Sequence, residues 1–247
     1  MQKAVIYFYS DFGNAGPYVG QVESVICSNL SLPFIRLLDD APVFNPKASA
    51  YLLNALYQNL PVRKGALLAV VDPGVGSDRK VISFTHDEML FIAPDNGLFS
   101  VLIKQLSVQQ VVQHEQPVNL SSNSFHGRDW FAPLLVDLMQ DKSVPMSFLQ
   151  SSQLIGYDWP AQLNEIIYID HYGNLITGLK AADCDKQLVI LWDDIAIRYA
   201  DAFSAVADGE LMWYGNSMGL VEIARNGARA DNLTDAAIGR KIEMVQS

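Results

Sequence analysis

GALLAVVDPGVGSDRK, residues 65–80, decides how the chain is to be read. From Gly65 to Val71 every residue is apolar, and such an unbroken run marks a parallel strand covered on both faces. Asp72 ends it. Pro73 cannot extend a sheet, Gly74 and Gly76 permit unusual backbone angles, and Arg79 and Lys80 then bring positive charge. Asp72 and Arg79 can meet across this loop. The plainest reading of that pair is a surface contact bracing a turn, worth about 0–1 kcal/mol; the other is a site. A phosphate cradle is disfavoured, because the Lys-Ser/Thr ending of a P-loop is missing and Asp72 at the mouth repels an anion.

Outward from this run, strand-like and helix-like segments alternate. AVIYFYS (4–10) and PFIRLLD (33–39) read as strands, while residues 18–30 carry apolar side chains at helical spacing, Val19, Val22, Ile26 and Leu30. NPKASAYLLNALYQNL (45–60) is a second helix. KVISFT and EMLFIAP, split by His86 and Asp87, form a hairpin, and a turn at PDNG (94–97) leads to a helix over 97–105, a short VVQH strand and a helix over 130–139. The pattern predicts an α/β N-terminal domain with a mostly parallel central sheet over residues 1–145. A Ser, Gln and Pro-rich stretch without a period, 146–164, reads as a linker. Short strands punctuated by Gly and Asp over 165–247 predict a smaller all-β, barrel-like C-terminal domain.

Bulk properties narrow the function. A formal charge of −10 over 247 residues leaves too little Lys and Arg for a nucleic-acid backbone, so a small molecule is the expected partner and nucleic acid is not. Cys27 and Cys184 lie outside any metal-ligand spacing, so no metal and no disulfide are expected, and a reducing cytoplasm fits. The N-terminus enters a strand instead of a signal sequence, and no stretch approaches the about 20 apolar residues of a membrane helix.

Polar residues gather where strands should end, which is where open α/β sheets bind ligands. In SDFGNAGPYVG (10–20), Asp11 follows the first strand; it can accept two ribose hydroxyls or simply cap the next helix. In NSFHGRDWFAP (123–133), His126 can exchange a proton near neutrality or be a satisfied structural histidine. His86 and His114 receive no role. In IDHYGNLITG (169–178), Asp170, Tyr172 and Asn174 share a loop: Asn suits an adenine edge and Tyr a stacking surface, although a hairpin turn explains Gly173 and Asn174 equally well. In NSMGLVEIARNGA (216–228), Ser217 and the backbone near Gly227 can hold a ligand or turn the chain.

Taken in order, SDFG, VVDPGVG with Arg79, PDNGL, SFHGRD, DHYGN and NSMG with EIARN resemble the S-adenosyl-L-methionine (SAM) hydroxide adenosyltransferase family, the adenosine-forming SAM hydrolases. The resemblance implies hydrolysis of SAM to adenosine and methionine without a cofactor, in a homotrimer whose active sites lie between subunits. It implies a water-handling trio of Asp72, Arg79 and His126. Asp11 is implied at the ribose, Asp170 at the methionine amine, Asn174 at adenine and Ser217 at the methionine carboxylate, with Arg225 and Gly227 closing over adenine. Three places depart from the family: Gly16 stands where a second aspartate is common, Met218 follows Ser217, and LDDAP (38–42) lacks a histidine that many relatives show there. Halide transfer to the same carbon is a related chemistry, which the charge of Asp72 opposes. Non-catalytic nucleoside binding and phosphoester cleavage are two more distant rivals.

Overall fold

The computed structural model describes residues 3–246. They divide into two compact units, one of residues up to Leu53 with Leu60–Trp159, the other of Asn54–Asn59 with the chain from Pro160 onward.

The first unit is built on β1 (Val5–Ser10), which pairs in parallel with β2 (Phe34–Leu38) on one side and β3 (Lys64–Val70) on the other. Parallel neighbours need crossovers, supplied by α1 (Tyr18–Cys27) and α2 (Pro46–Gln58). All six residues of β1 are buried because both faces are covered. On one face Ile6 and Phe8, with Ala66, Leu68 and Val70 of β3, pack with Val19, Val22 and Ile26 of α1. On the other face Tyr9 donates through Oη to the Ser49 carbonyl of α2 at 3.1 Å. The apolar run ending at Val71 is thus the middle of a two-sided core.

Strand β5 (Glu88–Pro94) adds in parallel to β3, but β4 (Val81–His86) runs antiparallel to it through a hairpin whose tip, Asp87, adopts φ 52°. After α3 (Ser100–Gln105), β6 (Gln110–His114) pairs antiparallel with β4; α4 (Ala132–Met139) then covers the core face, and β7 (Ser147–Gln150) completes a seven-stranded sheet of order β2-β1-β3-β5-β4-β6-β7. The expectation of a mostly parallel sheet is therefore corrected to a mixed one. Only the half around β1 and β3 is parallel, since a tight hairpin can join only antiparallel strands. Strand β7 also lies inside the stretch read as linker; at four residues, with Phe148 exposed, it carries no apolar period to betray it.

The second unit contains β8 (Leu163–Ile169), β9 (Leu175–Lys180), β10 (Leu188–Trp192), β11 (Ile195–Tyr199), β12 (Leu211–Gly215), β13 (Leu220–Arg225) and β14 (Glu243–Gln246), in the order β14-β10-β11-β12-β13-β9-β8. The sheet curls into a half-barrel: residues 239–242, just before β14 at one edge, hydrogen-bond to Asn164 and Ile166 of β8 at the other. Trp192, Trp213, Ile190 and Ile223 fill it. It too is mixed, through the parallel pair β11 and β12.

Gly65 is required where β3 meets β1. It adopts φ 118°, and a Cβ there would lie 2.1 Å from the Val5 carbonyl oxygen. Gly65→Ala is expected to cost at least about 3 kcal/mol, through strain and forced separation of the central strands, measured by urea unfolding.

Candidate active site

The sheet order reverses at β1: the chain leaves it toward β2 and returns on the other side as β3. Loops splay apart at such a switch point, and the crevice beyond the carboxyl ends of the strands is where open α/β sheets bind ligands. Ser10 and Val70 are paired at the ends of β1 and β3, so Asp11 and Asp72 both project from this crevice. They line a pocket of about 320 Å³ together with Phe12, Phe44, Phe125 and His126.

Asp11 does not cap α1, whose N-terminus has no side-chain cap. Instead its Oδ2 accepts the Phe44 amide at 3.0 Å. Phe44 holds φ 57° to deliver that amide, and its ring is 74% exposed at the pocket rim. Burial lifts the Asp11 carboxyl above its ordinary value, with the Phe44 amide opposing.

Asp72 and Arg79 form an ion pair, but not the surface brace that the sequence first suggests. Their side chains are 6% and 8% exposed. The Arg79 guanidinium lies 5.3 Å from the Phe131 ring and also reaches His126, with Nη2 3.3 Å from Nδ1. Arg79 thus joins the trio from two distant loops, touching both Asp72 and His126. Burial raises the Asp72 carboxyl, Arg79 and the Gly74 backbone amide pulling it part of the way back and Asp11 adding a smaller push upward. Burial also lowers the Arg79 guanidinium, which still keeps its proton at neutral pH.

His126 is 1% exposed and precedes a π-helical turn, Gly127–Phe131, that runs directly into α4. Burial first, then the Arg79 cation, lower its pKa, with Asp129 opposing. The ring is therefore neutral at pH 7. Arginine has only donors, so Nδ1 accepts from Arg79 and the ring proton sits on Nε2. Asp72 Oδ1, Arg79 Nε and His126 Nε2 are buried without a hydrogen-bond partner among the described residues. One acceptor and two donors are left to bind something else.

The second unit has a larger pocket, about 850 Å³, lined by Asp170, Tyr172, Asn174, Ser217, Arg225 and Gly227, each of which the sequence had marked. Asp170 accepts the Asn174 amide on Oδ1 at 2.9 Å and its side-chain Nδ2 on Oδ2 at 3.0 Å. Asn174 is thereby held in one orientation, with its carbonyl and the second N–H of its NH2 group left for a ligand. Gly173, at φ 82°, lets this turn approach Arg229 and Asp231, against whose side chains a Cβ would collide at 2.8 Å. Tyr172 is 73% exposed, and Arg225 Nε is buried without a partner among the described residues.

Sequence reasoning missed Tyr214, Asn216 and Glu222 in this pocket. The available signal was Glu222 itself, one acid inside the apolar run LVEIA. It also missed Phe44, for which no signal existed, because a left-handed phenylalanine has no sequence signature. Among the described residues no helix is long and apolar enough to cross a membrane.

Comparison with known proteins then separates the rival readings. The SAM hydroxide adenosyltransferase N-terminal domain matches residues 6–147 and the corresponding C-terminal domain matches residues 164–243. The chain belongs to the SAM hydroxide adenosyltransferase family. It is 30% identical over 240 residues to the (R)-S-adenosyl-L-methionine hydrolase of Thermus thermophilus, covering 90% of this chain and 91% of that protein. It is 28% identical over 256 residues to the enzyme of the same name from Salinispora arenicola, covering 97% of each. A crystal structure of an uncharacterized conserved protein from Thermotoga maritima superposes with a TM-score of 0.82 at 25% identity, covering 98% of this chain and 100% of that one. A conserved hypothetical protein from Thermus thermophilus superposes at 0.78 with 26% identity and the same coverage.

In this chain the buried histidines couple stability to pH. Both His126 and His114 have lowered pKa values, chiefly through burial. Below about pH 6.5 the unfolded chain binds protons that the folded chain refuses, so their contribution is whole above that pH and is lost as pH falls. Urea unfolding at pH 7.5 and pH 5.5 is expected to show a smaller loss of stability in His126→Gln than in the wild type.

Proposed function

We propose that this chain hydrolyses S-adenosyl-L-methionine to adenosine and L-methionine by displacement at the ribose C5′ carbon. The observation that carries the reading is the contact of Asp72, Arg79 and His126, with an acceptor and two donors left over, beside Asp11 at the switch-point crevice. The names of the curated relatives support the (R) configuration at the sulfonium.

A water oxygen attacks C5′ in line with the C–S bond. As the C–O bond forms, the C–S bond breaks and its electron pair passes to sulfur, which leaves as the neutral thioether of methionine. The sulfonium charge already activates that departure, so no acid is needed at sulfur, and the task is alignment and activation of the water. Asp72 Oδ1 takes the proton. Its raised pKa makes it a better acceptor than an ordinary carboxylate, as a general base near neutrality should be. Arg79 stabilises the developing hydroxide charge. His126, its Nδ1 lone pair directed at Arg79, acts as a donor through Nε2 and orients the oxygen. Asp11 receives the ribose hydroxyls. Asp170 receives the methionine amine and Ser217 its carboxylate, while Asn174, Tyr172, Arg225 and the backbone at Gly227 enclose adenine.

The reaction consumes only water, so no cofactor or metal is invoked. The proposed assembly is a homotrimer in which the first-unit pocket of one copy meets the second-unit pocket of its neighbour, consistent with a reacting cluster and a recognition pocket on different units. Light scattering tests it: a fully active monomer would overturn it. Free thiols at Cys27 and Cys184 support a reducing, cytoplasmic setting.

Incubation of the pure protein with each sulfonium epimer, followed by chromatography, is expected to release adenosine from the (R) form. Asp72→Asn is expected to lower kcat by about 10²–10⁴-fold, as loss of a general base does. Adenosine formation at the same rate in that variant, or formation of 5′-chloro-5′-deoxyadenosine in chloride, would defeat the assignment. Gly74 supplies an independent check. A methyl there would stand 3.7 Å from Asp72 Oδ1 and 3.9 Å from Arg79 Nε, which is ordinary contact, and Gly74 has no left-handed backbone angle. Gly74→Ala is expected to fold with an unchanged melting temperature but to lose at least about tenfold in kcat, by occupying the space beside both unpartnered atoms.

A further inference from the structure

Glu222 stands in the middle of β13, 5% exposed, opposite Tyr214 of β12. A buried carboxylate is costlier to fold around than an apolar side chain of similar volume, so its hydrogen bonds reveal what it is for. Oε1 accepts Tyr214 Oη at 2.5 Å and Oε2 accepts Asn216 Nδ2 at 2.9 Å. The amide of Asn216 is thereby committed. A carboxylate only accepts, so the NH2 end must face Glu222 and the carbonyl end must face the other way. That carbonyl accepts the backbone amides of Met218 at 2.9 Å and Leu220 at 3.0 Å. The turn is closed further by Asn216 N donating to Leu220 O and Gly219 N donating to Asn216 O, both at 2.9 Å. Ser217 rides on this turn and lines the pocket.

We propose that Glu222 is the positioning residue for the amino-acid end of the substrate. By fixing which end of the Asn216 amide meets the turn, it holds residues 216–220 in the shape that presents Ser217. An Asn216 rotated to place its NH2 group against the Met218 and Leu220 amides would set donor against donor and open the turn. The inference rests on the proposed function, in which Ser217 takes the substrate's carboxylate.

Amide hydrogen exchange at Met218 and Leu220, without substrate, is measured in the wild type, Glu222→Ala, Glu222→Gln and Asn216→Ala, alongside kcat and KM for the sulfonium substrate. Glu222→Ala is expected to accelerate exchange at both amides and to raise KM about ten- to hundredfold, the factor carried by loss of a charged hydrogen-bond partner, with kcat changed less than about threefold. Glu222→Gln is expected to restore both readouts, because its carbonyl can accept from Asn216 while its NH2 group donates to Tyr214 Oη. Asn216→Ala reproduces the effect by a second route should Glu222→Ala not fold, and combining the two is expected to add nothing further, since both break one chain of bonds. Unchanged exchange and KM in Glu222→Ala or Asn216→Ala, a Gln variant as defective as Ala, or strict additivity would each overturn the proposal. A wild type that releases no adenosine would instead sink the hydrolase reading, leaving exchange to decide the role of Glu222 in the turn.

Discussion

Two opposite charges withdrawn from water beyond the end of β3 are the constraint around which the first unit is arranged. Taking a carboxylate and a guanidinium out of solvent costs several kcal/mol per ion, and their attraction repays this only when the remaining polar atoms are also satisfied. At Asp72 and Arg79 they are not, since Asp72 Oδ1 and Arg79 Nε have no partner among the described residues. A fold selected for stability alone would do better with two apolar side chains there. The pair is intelligible as a site in which desolvation makes the carboxylate a stronger proton acceptor and leaves the guanidinium strongly attractive to developing negative charge. Phe131, on the π-helical turn, holds the guanidinium from behind, and that same turn follows directly on His126. One irregular stretch of helix thus fixes two members of the trio, in keeping with the association of π-turns with functional sites.

The sheet supplies the rest of the geometry. Parallel pairing of β1 with β3 sends both chain exits toward one end, and the missing side chain at Gly65 permits the close approach that keeps them in register. Asp11 then has to be oriented from outside the sheet. The left-handed backbone at Phe44 does this, at a cost of about 1–3 kcal/mol for a bulky residue. The loop holding Phe44 is tied down by backbone bonds from Gly13 to Asp39 and from Ala41 to Ser10. Strain is tolerated there because these neighbours leave the loop no relaxed alternative that still reaches Asp11.

Legibility in the sequence followed physical range. Glycines and acids at strand ends, and apolar runs without interruption, are local signals, so β1, β3, the hairpin and every pocket residue singled out in the second unit could be marked from the chain alone. Sheet sense could not, because the hairpin of β4 and β5 converts half of the sheet to antiparallel while its strands remain as apolar as parallel ones. Burial could not either: the residues alone leave Asp72 and Arg79 open between a surface brace and a site, since nothing nearby in the chain announces that Trp130 and Phe131 will close over the guanidinium. His126 was legible as a candidate proton exchanger and, through the family resemblance, as a member of the trio. Its tautomer, and hence its part as donor, depends on an arginine 47 positions away. Phe44 acts through its backbone amide, which the identity of a side chain does not encode.

The two pockets differ in how their polar atoms are occupied, and that difference divides the labour. In the first unit each member of the trio keeps one buried atom free, as a site must if it is to grip an oxygen whose charge changes during reaction. In the second unit the acids are already held: Asp170 by the backbone amide and one side-chain N–H of Asn174, Glu222 by Tyr214 and Asn216. Each Asp170 oxygen keeps a further lone-pair site on a carboxylate whose orientation is already fixed. The same bonds narrow what Asn174 can read. With one N–H of its NH2 group held by Asp170 Oδ2, the amide is fixed in orientation, and its carbonyl and second N–H face where that bond directs them. Asp170 thereby sets how the Asn174 amide faces the pocket without itself having to meet what that amide binds.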